Sequence, residues 1–176
     1  MTKLVGIVGS LRIGSVNRIV AEAAVDTTPG GTTLSLVNLA DVPMYNGDVE
    51  DAGVPQSVLA LHAVAADADG IIFFSPEYNG SFPAVVKNAI DWFSRPPRSW
   101  EGTAVTMVSA TPGPRGGKGV RDHFSAIMSS QPIRLFDDTL GIASYGDKMV
   151  DGQLTDPFTR TELETFVTNF AAFAQT

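Results

Sequence analysis

Nearly continuous apolar runs alternate with helical patterns along the chain, and this alternation limits the possible folds more than any other feature. The runs "KLVGIVGS", "GIIFFS" and "TAVTMVSAT" are rich in Val, Ile, Phe and Met. Such runs are typical of strands that are buried on both faces of a parallel sheet. The run "TLSLVNLA" predicts a further strand, and the weaker "PIRLFDDTLGIAS" predicts an edge strand.

Between and after these runs lie segments with apolar residues at helical spacing. They are 17–25, 54–68, 83–93, 119–130 and 159–174. Strands that alternate with helices predict βαβ units and a doubly wound α/β sheet. Five such units suit a flavodoxin-like, five-stranded parallel sheet of order 2-1-3-4-5. The acidic stretch 41–55 contains Pro and Gly, so we predict a loop with solvated carboxylates there.

Length and composition exclude several classes of protein. A chain of 176 residues is most simply one domain, spanning 1–176. Its formal net charge of −7 argues against nucleic-acid and anionic-membrane surfaces, which favour an excess of Lys and Arg. The absence of Cys excludes disulfides, thiolate metal sites and a cysteine nucleophile. No secretory leader and no apolar stretch near the roughly 18 residues of a membrane span are evident, so a cytoplasmic location is expected.

The stretch "GSLRIGSVNR", 9–18, follows the first apolar run and contains two arginines and no carboxylate. Ser10 and Ser15 offer hydroxyl groups, and a helix that starts near Asn17 directs unpaired N–H groups into the same space. Arg12 adds a cation with bidentate reach, which suits a phosphate dianion. The alternative is an ordinary strand-to-helix turn with capping serines, but capping alone does not explain Arg12.

The spacing of the glycines indicates which class of phosphate-containing ligand the loop could bind. Gly6, Gly9 and Gly14 do not match the G-x-G-x-x-G fingerprint of dinucleotide-binding folds. The stretch "PGPRGGKG" has Pro112 and Gly119 where a Walker A loop needs glycine and Ser/Thr. A terminal monophosphate, as in FMN, remains.

The most specific stretch is "SPEYNGSFPAVVKNAIDW", which follows the third strand. Asn79 and Gly80 form a turn signal, so Glu77–Ser81 is predicted to be an exposed loop at the same sheet edge. Backbone N–H groups of this loop could bond the carbonyls and N5 of a flat heterocycle. Pro76 and Tyr78 would supply apolar contact.

The helix that follows this loop has two apolar stripes. One stripe fits the sheet, and the other, formed by Val85, Ala89 and Trp92, predicts a subunit interface. The alternative is a helix that is internal on all sides.

These two motifs, together with the looser "SATPGPRGG", resemble the NAD(P)H-dependent FMN reductases of flavodoxin-like fold, a family that includes quinone and chromate reductases. The resemblance runs from residue 4 to about residue 130. It implies that the FMN phosphate is held by Ser10, Arg12, Ser15, Val16 and Asn17. It implies that the isoalloxazine ring is lined by Pro76, Glu77, Tyr78, Asn79 and Gly80. On the pyrimidine side it implies Ser109 and Gly113.

The resemblance also implies a homodimer or a dimer of dimers, with the helix that follows the loop Glu77–Ser81 at the interface. The sequence departs from the family pattern at Ala84, where glycine is common. It also departs at Pro112 and Pro114, which stiffen a usually looser loop. These differences concern substrate access more than flavin binding.

No side-chain constellation in the sequence predicts a catalytic residue or a metal site. His62 and His123 fall in helical patterns, where core or surface roles are expected. A cofactor must therefore carry the reaction. NADPH or NADH would pass hydride to FMN, and a small acceptor such as a quinone, free flavin or chromate would take the electrons.

Two other functions stay open from the sequence alone. One is a flavodoxin-like electron-transfer protein without direct NAD(P)H activity. Arg12 favours the reductase, because flavodoxin-type phosphate loops are rich in Thr and Ser and use no arginine. The other is a signalling or scaffold domain that binds no flavin.

Overall fold

A parallel sheet forms the centre of the computed structural model, which describes residues 1–176. Its strands are β1 (Thr2–Val8), β2 (Thr32–Asn38), β3 (Gly70–Phe74), β4 (Ala104–Ala110), β5 (Arg134–Leu135) and β6 (Leu140–Ile142). The order is β2-β1-β3-β4, and both β5 and β6 pair in parallel with β4. This arrangement confirms the predicted α/β, flavodoxin-like sheet of order 2-1-3-4-5.

Helices cover both faces of this sheet. They are α1 (Val16–Asp26), α2 (Gly47–Ala52), α3 (Gln56–Ala66), α4 (Ala84–Phe93), α5 (Lys118–Met128) and α6 (Pro157–Ala174). Each of these except α2 lies where the sequence predicts a helix. None of the helices is long and apolar enough to cross a membrane.

The strand β3 shows how the core divides between the two faces. All five of its residues are buried, and their side chains alternate between the faces. Ile72 and Phe74 belong to a core cluster with α1 and α6. Ile71 and Phe73 belong to a second cluster with α3, α4 and α5. We call these two sides of the sheet the α1–α6 face and the α3–α5 face.

Two short elements differ from the prediction. The expected loop 41–55 contains α2, whose N-terminus is capped by the Asn46 side chain. Glu50 on this helix is not merely solvated, because it pairs with Arg95 at 2.9 Å. The expected edge strand is split into β5 and β6 by 136–139, where the Asp138 carbonyl accepts a hydrogen bond from the Thr106 hydroxyl at 2.8 Å.

After β6 the chain forms a 3-10 turn, Tyr145–Lys148, and an antiparallel hairpin that the sequence did not predict. The strands of the hairpin, β7 (Met149–Val150) and β8 (Gln153–Leu154), have two residues each. Such short strands carry too little alternation to be recognised from sequence.

The second apolar stripe of α4 is covered by the chain itself. Ala89 and Trp92 are fully buried and Val85 is half-buried. The Trp92 indole N–H donates to the Pro43 carbonyl at 2.8 Å, and the Tyr45 ring packs edge-on against the indole at 5.0 Å. This stripe is therefore packed within the chain, although Lys87 on the same helix is exposed, and the stripe itself gives no reason to expect a subunit interface.

Candidate functional site

A cleft of about 230 Å³ opens at the carboxyl edge of the sheet, between the loops that follow β1, β3 and β4. Its lining comprises Ser10, Arg12, Ser15, Val16, Asn17, Pro76, Glu77, Tyr78, Ala110, Thr111, Pro112 and Tyr145. The first eight are all predicted site residues. Of the remaining predicted residues, Asn79, Gly80, Ser109 and Gly113 do not line the cleft.

The loop after β1, 9–15, is shaped by close packing at its start. A Cβ atom at Gly9 would lie 2.5 Å from Cγ2 of Val86, so only glycine fits there. Ser15 caps α1 and accepts from the backbone N–H of Arg18. The N–H groups of Val16 and Asn17 have no acceptor within the protein. The positive end of the α1 dipole thus faces the cleft with free donors.

Arg12 is the only charged residue of this loop. It is exposed and forms no salt bridge. Its guanidinium group is therefore available to an anion in the cleft. Together with the free N–H groups at the start of α1, it makes this end of the cleft, the phosphate-loop end, electropositive.

The side chain of Asn17 is bonded within the protein. It is buried, and its Nδ2 donates to the Ala110 carbonyl at 3.0 Å while its Oδ1 accepts from the Ala110 N–H at 2.9 Å. Both ends of the amide are thus occupied by backbone. The side chain fastens the start of α1 to the end of β4, and only its backbone N–H remains for a ligand.

The loop after β3 is a tight turn, which we call the tyrosine loop (77–81). Tyr78 and Ser81 exchange two backbone hydrogen bonds of 2.8 and 3.0 Å. Between them Asn79 and Gly80 have φ values of 53° and 76°. Positive φ at both central residues is the requirement of a type I′ turn. The side chain of Tyr78 is exposed at the rim, and the N–H groups of Asn79 and Gly80 have no acceptor within the protein.

Glu77 anchors the tyrosine loop to α5. Its Oε2 accepts from the Val120 N–H at 3.0 Å, in the first turn of that helix. A carboxylate is favoured there by the helix dipole as well as by the hydrogen bond. No sequence motif indicated this contact, because Glu77 and Val120 are 43 residues apart.

The loop after β4 lines the cleft with Thr111 and Pro112, whereas Ser109 before it and the start of α5 after it pack against each other. Ser109 is fully buried and its hydroxyl has no hydrogen-bond partner. A Cβ atom at Gly117 would lie 2.1 Å from this hydroxyl, so the start of α5 covers it. Arg121 donates to the Gly116 carbonyl at 3.2 Å and to the Thr139 hydroxyl at 3.0 Å. Burial lowers the pKa of the Arg121 guanidinium.

Neither histidine lines the cleft, and each contacts other residues of the protein. His62 is buried with its Nδ1 2.7 Å from the Ser99 hydroxyl, and burial lowers its pKa. His123 is exposed, lies 2.8 Å from the Ser81 hydroxyl and stacks on Phe82. These are the core and surface roles that the sequence predicted.

Comparison with known proteins identifies the family. The family model "NADPH-dependent FMN reductase" matches residues 2–145. A quinone reductase from Pseudomonas putida is 35% identical over 96% of this chain and 92% of its own length. A 2-hydroxy-1,4-benzoquinone reductase from Burkholderia sp. is 30% identical over 98% of this chain and 96% of its own length.

A solved structure supports the same assignment. The flavoenzyme NAD(P)H:(acceptor) oxidoreductase FerB from Paracoccus denitrificans superimposes with a TM-score of 0.89 at 27% identity, covering 99% of this chain and 98% of FerB. The matched family model includes the loops after β1, β3 and β4 that form the cleft. The chain therefore belongs to the NADPH-dependent FMN reductase family.

Proposed function

We propose that this enzyme takes electrons from NADPH or NADH through bound FMN and delivers them to a quinone. Membership of the NADPH-dependent FMN reductase family is the basis for assigning FMN and the nicotinamide donor. The relatives from Pseudomonas putida and Burkholderia sp. are named as reductases of quinones, and this is the basis for proposing a quinone as the acceptor. The observation that carries the proposal is the cleft itself, in which the electropositive start of α1 and Arg12 line one end and Pro76 and Tyr78 line the other.

The residues of the cleft fit FMN at both ends. At the phosphate-loop end, Arg12, the Ser10 and Ser15 hydroxyls and the N–H groups of Val16 and Asn17 would bind the phosphate. These donors meet no carboxylate of the protein, so a dianion would be their natural partner.

At the other end, the tyrosine loop would bind the ring system. The free N–H groups of Asn79 and Gly80 would donate to its polar edge, while Pro76 and Tyr78 would cover apolar surface. Of the remaining predicted contacts, the Gly113 carbonyl accepts from the Ser144 N–H at 3.1 Å, and the Ser109 hydroxyl is enclosed. We therefore propose that these two residues shape the loop on the pyrimidine side rather than contact the flavin.

Bound FMN supplies the hydride and electron transfer, for which no side chain of the cleft is suited. The residues of the cleft would bind and orient the flavin. Tyr78, 51% exposed at the rim, offers an aromatic surface on which a nicotinamide or a quinone can rest. If the nicotinamide and the quinone bind one after the other at this same position, the enzyme should show ping-pong kinetics.

Spectroscopy of the purified protein tests this function. The protein should be yellow with bound FMN, should bleach under anaerobic conditions on addition of NADPH or NADH, and should regain its colour on addition of a benzoquinone. If dithionite bleaches the bound flavin and neither nicotinamide does, the protein is an electron carrier. A colourless protein that does not bind added FMN would exclude both functions.

Two properties extend the proposal. We infer a homodimer or a dimer of dimers, as the resemblance implies, and light scattering at micromolar concentration would show a monomer if this is wrong. We also infer a cytoplasmic location, because the nicotinamide donor is available there.

A further inference from the structure

One wall of the cleft comes from Tyr145, a residue that no motif of the sequence singles out. It begins the 3-10 turn after β6. Two backbone hydrogen bonds hold it against the loop after β4: the Ser144 N–H donates to the Gly113 carbonyl at 3.1 Å, and the Tyr145 N–H donates to the Thr111 carbonyl at 3.4 Å. The ring is thereby kept at the cleft.

The packing of Tyr145 shows which end of the cleft it serves. Its ring packs against the core cluster of the α1–α6 face, as Val16 at the start of α1 does. The Asn17–Ala110 pair brings the start of α1 to the end of β4, directly before Thr111. The tyrosine loop, by contrast, is anchored to α5 on the α3–α5 face. Tyr145 therefore stands at the phosphate-loop end.

Tyr145 is half-buried, and the only hydrogen bond that it donates within the protein is through its backbone N–H, so its hydroxyl has no partner there. Tyr45 provides a contrast, since its hydroxyl donates to the Glu50 carboxylate at 2.9 Å. A phenol at the phosphate-loop end has an obvious use as a donor to a phosphate oxygen.

We propose that the Tyr145 hydroxyl binds the phosphate of FMN, as a neutral donor in addition to the charged Arg12. This inference rests on the proposed function, because it assumes that FMN occupies the cleft. It adds a binding residue that lies outside the motifs of the phosphate loop and the tyrosine loop. The contact requires the phosphate. Riboflavin has the same ring and ribityl chain but no phosphate, so it is the control ligand.

Dissociation constants for FMN and riboflavin, measured by flavin fluorescence, test the contact. Because hydrogen bonds to charged groups are strong, Tyr145→Phe should weaken FMN binding about tenfold and leave riboflavin binding unchanged. Arg12→Ala should show the same selectivity, with a loss of roughly 10–100-fold for FMN. Tyr45→Phe removes a hydroxyl outside the cleft and should change neither constant. Circular dichroism and thermal unfolding check that each variant is folded.

Three results would overturn the proposal. Unchanged FMN affinity of a folded Tyr145→Phe protein would show that the hydroxyl does not contact FMN. Equal losses for FMN and riboflavin would place the contact on the shared part of the flavin. If the wild-type protein binds neither flavin, the proposed function fails and the role of Tyr145 fails with it.

Discussion

Glu77 illustrates how a residue of a binding motif can act through its neighbours. Its carboxylate accepts a hydrogen bond from the Val120 N–H at the start of α5, so its side chain holds the tyrosine loop against that helix. The loop in turn presents the free N–H groups of Asn79 and Gly80. Glu77 is therefore a positioning residue, and its removal should lower the affinity of the tyrosine loop for its ligand.

Loss of the carboxylate should weaken flavin binding without removing a flavin contact. A hydrogen bond to a charged group contributes about 1.5–3 kcal/mol, of which part is recovered by water, so Glu77→Ala should weaken FMN binding several-fold. Glu77→Gln keeps an acceptor for the Val120 N–H and should restore most of the affinity. Fluorescence titration of both variants with FMN measures this. Equal and undiminished affinity in both would contradict the anchoring role, and Glu164→Ala, on the exposed side of α6, is the control.

At the scale of single residues, the sequence predicted which positions surround the cleft better than it predicted what their side chains do. Asn17 and Glu77 both line the cleft as expected, yet both side chains are occupied by backbone of distant segments. The spacing of a motif carries no information on these partners. One partner, Ala110, is the last residue of β4, and the other, Val120, lies after β4 in the chain. Tyr145 escaped prediction for the same reason, because only the folded sheet brings it to Thr111.

Among the elements, the tyrosine loop offers a test of backbone shape. Gly80 has φ of 76°, and a Cβ atom there would meet no other atom within 4 Å. Gly80→Val should therefore act through backbone strain alone, costing about 1–3 kcal/mol and lowering both FMN affinity and turnover. Gly80→Asn, which tolerates this conformation better, should lose much less.

Tyr78→Ala is the complementary change in the same loop. It leaves the turn intact and removes an exposed ring, so FMN should stay bound while turnover with NAD(P)H falls. Bound-flavin absorbance and steady-state rates on these variants decide the matter. If Tyr78→Ala loses its flavin while Gly80→Val keeps it, the assignment of binding to the backbone of this loop is wrong.

Elements with a strong apolar period were predicted, and elements without one were missed. The strand β3 and the helix α6 carry long buried patterns, which tertiary contacts reinforce. The helix α2 has no buried residue, and its position depends on the Glu50–Arg95 ion pair. Hydrophobic periodicity cannot detect an element that is held by polar contacts.

For the molecule as a whole, stability at low pH should depend on the start of α6, the helix that covers much of the α1–α6 face. Asp156 caps this helix by accepting from the Thr159 hydroxyl at 2.7 Å and the Thr159 N–H at 2.8 Å. These hydrogen bonds lower the pKa of Asp156. A lowered pKa in the folded protein stabilises it above the ordinary aspartate pKa, and this contribution is lost as the pH falls through the folded value.

Asp156→Ala should therefore lower the Tm at pH 7, and the difference from wild type should shrink at acid pH, below about 3.9, the ordinary aspartate pKa. Asp156→Asn keeps a capping acceptor and should retain more of the Tm at pH 7. Thermal unfolding by circular dichroism at both pH values provides the measurement. A difference between wild type and Asp156→Ala that stays constant across this range would show that the carboxylate charge does not matter.

The Asn17–Ala110 pair also has a consequence for how the protein is made. It joins positions 93 residues apart, so the ribosome releases the phosphate loop and the tyrosine loop long before β4 can hold α1 in place. Tyr145 is synthesised later still. A nascent chain that stops short of β4 has both motifs and no completed pocket. Flavin loading is therefore a late event of biogenesis, and only finished chains gain the protection from unfolding that a bound ligand provides.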